Sequence, residues 1–270
     1  MKNRIGVVQM NSTTSPEHNL AYAKSVLKEA AREGVDLLAF PEIFLYIGQD
    51  EQTKYRIAQT LDGDIIQRFC DDAVHYGLSI LLGSLYEKSA DNDGRLYNTS
   101  ILINRQGDIA AVYRKIHLFD APYLNHFESE GIRAGDKPVV VDHEIGKLGL
   151  TICYDLRFPE LYKYLALQGA EIIFVPSAFF LQTGKKHWLP LLTARAIENQ
   201  VYIVAPNQWG VHHDNRQSFG SSVIIDPWGN HLSLAPESPG LISAEIDLAF
   251  LREVRANMPL QSHGRPELYQ

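Results

Sequence analysis

A layered α/β fold is what this sequence predicts, on three observations. Short apolar runs of strand length alternate with longer stretches whose apolar residues recur at helical spacing. The segment Gly34-Val35-Asp36-Leu37-Leu38-Ala39-Phe40-Pro41 is echoed by Gly169-Ala170-Glu171-Ile172-Ile173-Phe174-Val175-Pro176. Each reads as a helix stop, an acidic residue, a buried strand and a proline, so the core is pseudo-repeated. Finally, no linker, low-complexity segment or composition break divides the 270 residues, so one domain over 1–270 is expected.

In chain order, residues 5–10 read as a buried strand. Ser15 and Pro16 then open a helix whose apolar residues are Leu20, Ala23, Leu27, Ala30 and Ala31, ended by Gly34. A second buried strand, 35–40, stops at Pro41-Glu42. The next helix begins near Asp64, with Ile65, Ile66, Phe69, Cys70, Ala73 and Val74 as its stripe and Gly77 as its stop. Residues 78–86 are strand-like, 91–94 form a turn, and 97–104 with 109–115 form a hairpin. The stretch 116–137 has little periodicity, and a long irregular stretch inside a compact domain is usually functional. Residues 139–141 and 147–152 read as a strand pair ending at Cys153. Pro159 opens a helix to Gln168; 171–175 is a buried strand; a helix at 188–199 and a strand at 201–205 follow. Residues 221–225, a turn at 226–230 and 241–246 finish the sheets.

The 45% hydrophobic and 21% charged composition is ordinary for a globular chain. No apolar run approaches the ~20 residues of a membrane span, and Met1-Lys2-Asn3-Arg4 lacks a signal-peptide layout. A soluble, cytoplasmic protein is expected. With net charge −7 and scattered Lys and Arg, no nucleic-acid footprint is visible. Two cysteines exclude a Zn site built on Cys-x-x-Cys. The densest histidine cluster, His212-His213-Asp214, reads as a polar surface loop, so no metal site is expected.

Cys153 sits where a strand ends and a helix is about to begin, which exposes a side chain at a sheet edge near free backbone N–H groups. That arrangement can lower a thiol pKa and supply an oxyanion site. A free cysteine is otherwise a small core residue, which is how Cys70 reads on its helical stripe. A thiol nucleophile needs a base. No histidine declares itself, whereas Glu42 follows a buried strand and is stiffened by Pro41. Apolar walls there would raise its pKa and fit it to carry protons. Lys115 ends a strand and would stabilise a developing oxyanion; His117 reads as a support residue. Each has a plainer alternative: a solvated loop acid, a surface lysine.

Together these residues resemble the nitrilase, or carbon–nitrogen hydrolase, superfamily. The resemblance rests on Phe40-Pro41-Glu42, on Tyr113-Arg114-Lys115-Ile116-His117-Leu118-Phe119, and on Gly149-Leu150-Thr151-Ile152-Cys153-Tyr154-Asp155-Leu156-Arg157-Phe158-Pro159-Glu160. Phe127-Glu128-Ser129 matches a further glutamate of the family. The match runs from the first strand to Asp226-Pro227-Trp228-Gly229. It implies a four-layer α-β-β-α sandwich that pairs as a homodimer or higher homo-oligomer, and acyl transfer without a cofactor. In that scheme Glu42 is the base, Cys153 the nucleophile and Lys115 with the Tyr154 N–H the oxyanion holders. Glu128 positions substrate and Lys115.

Tyr154-Asp155 after the nucleophile is the amidase-like variant. Pro176-Ser177-Ala178-Phe179, Thr183-Gly184, His187-Trp188, residues 194–200, Arg216, Ser218 and Gly220 resemble the Nit branch. That branch acts on amides of α-keto dicarboxylates, deaminated glutathione and α-ketoglutaramate among them, and the first is the nearer match. Leu189 and Phe180 depart from the branch pattern. The expected activity is hydrolysis of a linear amide of a small carboxylate-bearing molecule through a Cys thioester. Tyr154, Arg157, Phe179 and Thr183 are candidate substrate contacts, and Lys185-Lys186 are further basic groups near the mouth. Arg157 is equally readable as a strut to Asp155 or Glu160. The alternatives are N-carbamoyl amide hydrolysis and a catalytically silent binding protein on the same fold.

Overall fold

The computed structural model of the chain describes residues 3–90, 93–124, 126–213 and 215–268. Its body is two six-stranded sheets. The first runs, edge to edge, Gly240–Ile246, Asn3–Gln9, Leu37–Ala39, Ser79–Lys88, Leu96–Ile103, Ile109–Arg114. The second runs His231–Leu234, Val223–Ile225, Tyr202–Ala205, Ile172–Phe174, Gly146–Leu150, Val139–His143. Each has a parallel centre of three strands and antiparallel pairings outside it.

Strand alternation builds three cores from these sheets. Ile5, Val7, Leu37 and Ala39 pack with Leu148, Ile172, Phe174 and Val204 between the sheets. Their sequence neighbours Val8, Leu38 and Phe40 face the other way, onto the helices Pro16–Arg32 and Asp64–Tyr76. Ile173, Val175 and Ile203 likewise face Pro159–Leu167 and Leu181–Asn199. Fully burying one such side chain contributes roughly 1.5–3 kcal/mol, so strands buried on both faces demand helices on both sides. The result is the α-β-β-α sandwich.

The two echoed segments occupy equivalent places. Gly34 and Gly169 take φ of +69° and +95° to leave their helices. Asp36 Oδ2 accepts the Arg4 N–H at 2.8 Å, and Glu171 Oε2 accepts the Lys147 N–H at 3.0 Å. The acidic residue of each repeat therefore closes the start of the neighbouring parallel strand.

Ser15 caps the first helix as expected, accepting from the His18 N–H, and Cys70 is a core residue. Three differences stand out. A helix at Glu51–Ile57, capped by Asp50, and one at Leu248–Asn257, capped by Asp247, were not anticipated. The helix expected from 188 begins at Leu181 and absorbs Thr183, Gly184, Lys185 and Lys186. Gly184 is needed there because a Cβ would meet Phe219 Cβ at 2.3 Å. Among the described residues, 116–137 contain only short pieces: the pair Asp120–Ala121 and His126–Phe127, a 3-10 turn at Pro122–Leu124 and one helical turn, Glu128–Gly131. The turn expected at 91–94 and Asp214 of the histidine cluster fall wholly or partly outside the described residues.

Candidate active site

Glu42, Lys115, Glu128 and Cys153 meet on a cavity of about 660 Å³. The first two lie just past the ends of strands in the first sheet; Cys153 follows a strand of the second. Cys153 occupies a left-handed turn, φ +47°, between that strand and the short helix Cys153–Arg157. A non-glycine residue there is strained. Its own N–H is held by the Pro176 carbonyl at 2.9 Å. The Tyr154 N–H, at the start of the short helix, has no acceptor among the described residues.

The Lys115 ammonium is almost fully buried and hydrogen-bonds Glu42 Oε1 at 2.9 Å and the Glu128 oxygens at 3.0 and 2.8 Å. Burial works against its charge, but Glu128, Glu42 and Cys153 outweigh that and hold it firmly protonated. Asn98 Nδ2 donates to both acids, at 2.9 Å to Glu42 and 3.1 Å to Glu128. Glu42 Oε2 accepts the Ala178 N–H at 2.9 Å, and the Glu42 charge acts on the neighbouring Cys153 thiol.

Two electrostatic expectations are overturned. Burial alone would raise the Glu42 pKa, but Lys115 and the donors on the carboxylate bring it below its ordinary value. The Cys153 pKa is pushed well up, by burial first and then by the Glu42 charge, rather than lowered. The resting pair is therefore thiol and carboxylate.

Asp155, fully buried, was missed as a contributor. It accepts from Tyr113 Oη at 2.7 Å, the Ile152 N–H at 2.8 Å and the His117 N–H at 3.1 Å, with His117 Nδ1 at 2.7 Å. His117 also stacks on Phe158 at 3.7 Å. This network ties the lysine segment to the cysteine turn and gives His117 the supporting place read from the sequence.

Tyr154, Arg157, Phe179 and Thr183 all line the cavity. Arg157 lies 5.1 Å over Phe179 and 5.9 Å over Tyr154, with Nη1 3.2 Å from His187 Nδ1. It makes no ion pair among the described residues, so the strut to Asp155 or Glu160 is absent. Lys185 and Lys186 are exposed on the helix and do not line the cavity. Of the two departures, Leu189 packs against the outer core and Phe180 lines the cavity. Tyr86, Asn98, His126 and Arg216 add to the polar lining, with Glu51, Lys54, Tyr55 and Glu130. Among the described residues no group of three His, Cys, Asp or Glu is placed to hold a metal ion.

An α-β-β-α sandwich with a buried Glu-Lys-Cys cluster at its sheet edges has the form of a carbon–nitrogen hydrolase. The chain belongs to that family, matching "Carbon-nitrogen hydrolase" over residues 4–256, and it is a hydrolase of non-peptide carbon–nitrogen bonds of the nitrilase superfamily, Nit branch. A deaminated glutathione amidase of Dictyostelium discoideum is 42% identical over 99% of this chain and 95% of its own length. The C. elegans NitFhit protein superposes with TM-score 0.95 at 37% identity, covering all of this chain, which spans 66% of that protein. Saccharomyces cerevisiae Nit3, a member of branch 10 of the nitrilase superfamily, superposes with TM-score 0.87 at 30% identity over 96% of this chain and 95% of its own.

Proposed function

We propose that the chain hydrolyses a linear amide of the deaminated glutathione type through a thioester on Cys153. The observation that carries this reading is the Lys115 ammonium held between Glu42 and Glu128 on the cavity that Cys153 also lines. Sγ attacks the amide carbon as its proton passes to Glu42, which avoids a free thiolate in a buried site. The oxygen of the tetrahedral adduct takes the negative charge, and Lys115 and the Tyr154 N–H hold it; such donors are each worth ~10²–10³ in rate. The carbon–nitrogen bond then breaks, and Glu42 returns its proton to the leaving amine. Water attacks the thioester, its proton going to Glu42 and on to Sγ as the carbon–sulfur bond breaks. Glu128 keeps Lys115 placed and charged. Every group required is a side chain or backbone N–H of this chain, so no cofactor is invoked.

The substrate type is supported by the name of the Dictyostelium relative. Arg157, over two rings and without a carboxylate partner, is placed to clamp a substrate carboxylate. The whole chain is taken as one catalytic domain. A homodimer is part of the proposal: Tyr164, Leu167 and Ile197 stand exposed on the outer helices of the second sheet, an apolar face of the kind pairing covers. No helix of the described residues is long and apolar enough to cross a membrane, and a cytoplasmic location is proposed.

Intact-mass analysis of protein quenched during turnover tests the reading. The acyl group should add to Cys153, and Cys153→Ala should be inactive with an unchanged melting temperature. Near-normal turnover by Cys153→Ala would sink it.

A further inference from the structure

The main chain next to Glu42 is bent in a way its own sequence disfavours. Ile43 has φ +45°, in the left-handed region, where a β-branched side chain is a genuine outlier. Such a conformation persists only where its surroundings over-determine it. Here the turn is gripped at three points. The Ile43 N–H donates to Ser84 Oγ at 2.9 Å. On either side of it, the Glu42 carbonyl accepts from Gln208 Nε2 at 3.1 Å, and the Phe44 carbonyl accepts from Ser12 Oγ at 2.8 Å. Gln208 and Ser12 are joined to each other as well: Gln208 Oε1 accepts the Ser12 N–H at 3.0 Å, and Gln208 Nε2 donates to Ser12 Oγ at 2.7 Å. Both residues are fully buried, and neither lines the cavity.

The two gripping residues come from different sheets. Ser12 follows the strand Asn3–Gln9 of the first, and Gln208 follows Tyr202–Ala205 of the second. The Gln208 amide has one workable orientation, because the Glu42 carbonyl can only accept and the Ser12 N–H can only donate. Ser12 is held once more by His212, which is half-buried rather than part of an open surface loop. Its Nδ1 lies 2.8 Å from the Ser12 carbonyl and its Nε2 2.9 Å from Ser218 Oγ. The carbonyl fixes the proton on Nδ1, and burial takes the imidazole pKa down to about 4, so His212 stays a neutral donor. We propose that Gln208 and Ser12 are positioning residues for the base: together they clamp the strained turn at Ile43 and so keep the Glu42 carboxylate on the Ala178 N–H and Lys115. This assignment rests on Glu42 being the base of the amidase reading. Released from the clamp, the turn relaxes toward negative φ and carries the carboxylate out of line with Cys153.

Crystal structures of variants, with steady-state kinetics on deaminated glutathione, test the clamp. Gln208→Met keeps the length of the side chain and removes its donor and acceptor. Ser12→Ala removes only the hydroxyl that bridges Gln208 and Phe44, and it carries the test should Gln208→Met not fold. In either structure the Ile43 φ should turn negative and the bond from the Ala178 N–H to Glu42 should open. A misplacement of about 1 Å can cost ~10²-fold in rate, so kcat should fall about 10- to 100-fold in Gln208→Met and about fivefold in Ser12→Ala. KM should change by less than about threefold, because neither side chain reaches the cavity. The Ile43→Asn background separates a clamp from general support of the core. Asparagine tolerates the left-handed region, so the turn no longer needs holding, and adding Ser12→Ala there should change kcat by less than about twofold. An unmoved Ile43 turn, the same loss from Ser12→Ala with and without Ile43→Asn, or a raised KM at unchanged kcat would overturn the clamp. A wild-type enzyme that hydrolyses no amide defeats the amidase reading instead, and the crystal structures still decide whether Gln208 and Ser12 hold the turn.

Discussion

The Ala178 N–H donates to Glu42 Oε2 at 2.9 Å, joining residues 136 positions apart. Each follows the strand of one pseudo-repeat: Glu42 comes after Leu37–Ala39, Ala178 after Ile172–Phe174. The internal echo is thus completed at the site, where one repeat delivers the acid and the other fixes it. With Oε1 held by Lys115 and Asn98, both oxygens of the carboxylate are fixed in place.

This geometry sets a pH profile. As the proposed base, Glu42 must be ionised, and its pKa lies below the ordinary 4.5 because Lys115 and its donors overcome burial. Cys153 is raised, so thiolate formation contributes nothing near neutrality. For a base with a depressed pKa the active form is present above that pKa and is lost as pH falls through it. We expect kcat/KM to be flat from about pH 6 to 8 and to fall only in acid, on a limb below the usual carboxylate range. A rise centred near pH 8 would mean that a preformed thiolate is the nucleophile.

Replacing the base should cost more than binding. Glu42→Gln keeps the size and most of the hydrogen bonds but carries no proton, and loss of a general base typically costs ~10²–10⁴ in rate. Both halves of the reaction should slow, because the same carboxylate serves the thiol and the water. Stopped-flow acylation at the wild-type rate in this variant would reveal another base.

Much of this site was legible one residue at a time. Pro41-Glu42 and Cys153 stood at the ends of apolar runs, and the sheets place them where those runs stop. The charges were not legible: the pKa directions depend on Lys115 lying 2.9 Å from Glu42, a distance between strands far apart in the chain. Asn98 was invisible for the same reason, being one polar residue on a buried strand until strand order puts it between two acids. Asp155 was read as part of the amidase-like pair after the nucleophile and as a partner for Arg157, not as a link to His117 and Tyr113, and Tyr86 and His126 were not singled out. The early start of the helix at Leu181 was hidden by Gly184 and Pro190, both poor helix residues; packing against Phe219 and the outer core overrides that preference.

Asp155 should prove as important to the site as the residues that touch substrate. Asparagine offers one acceptor oxygen where the structure uses both, for Tyr113 and Ile152 on Oδ2 and His117 on Oδ1. Asp155→Asn therefore leaves at least one buried donor unmet, at about 1.5–3 kcal/mol for a bond to a charged group. Urea denaturation should show that loss. kcat should fall with KM little changed, since Lys115 is displaced relative to Cys153. Unaltered stability would mean the network is replaced by water.

Gly83 gives a test of how tightly the approach to Glu42 is drawn. A Cβ there would lie 2.0 Å from the Phe40 carbonyl oxygen and 2.2 Å from that of Pro41. Both are backbone atoms and cannot swing aside as a side chain would. The strand is already irregular between Leu82 and Leu85, and Ser84 Oγ accepts the Ile43 N–H at 2.9 Å. Moving residues 40 and 41 moves Glu42 directly. Gly83→Ala should lower stability by about 1–3 kcal/mol, the usual cost of overpacking, and reduce kcat beyond what partial unfolding explains. Gly240→Ala is the matched control, because a Cβ at that position meets nothing within 4 Å. Thermal melts and kcat measured on both variants decide the matter: if Gly83→Ala behaves like the control, the segment carrying Glu42 is looser than the contacts imply.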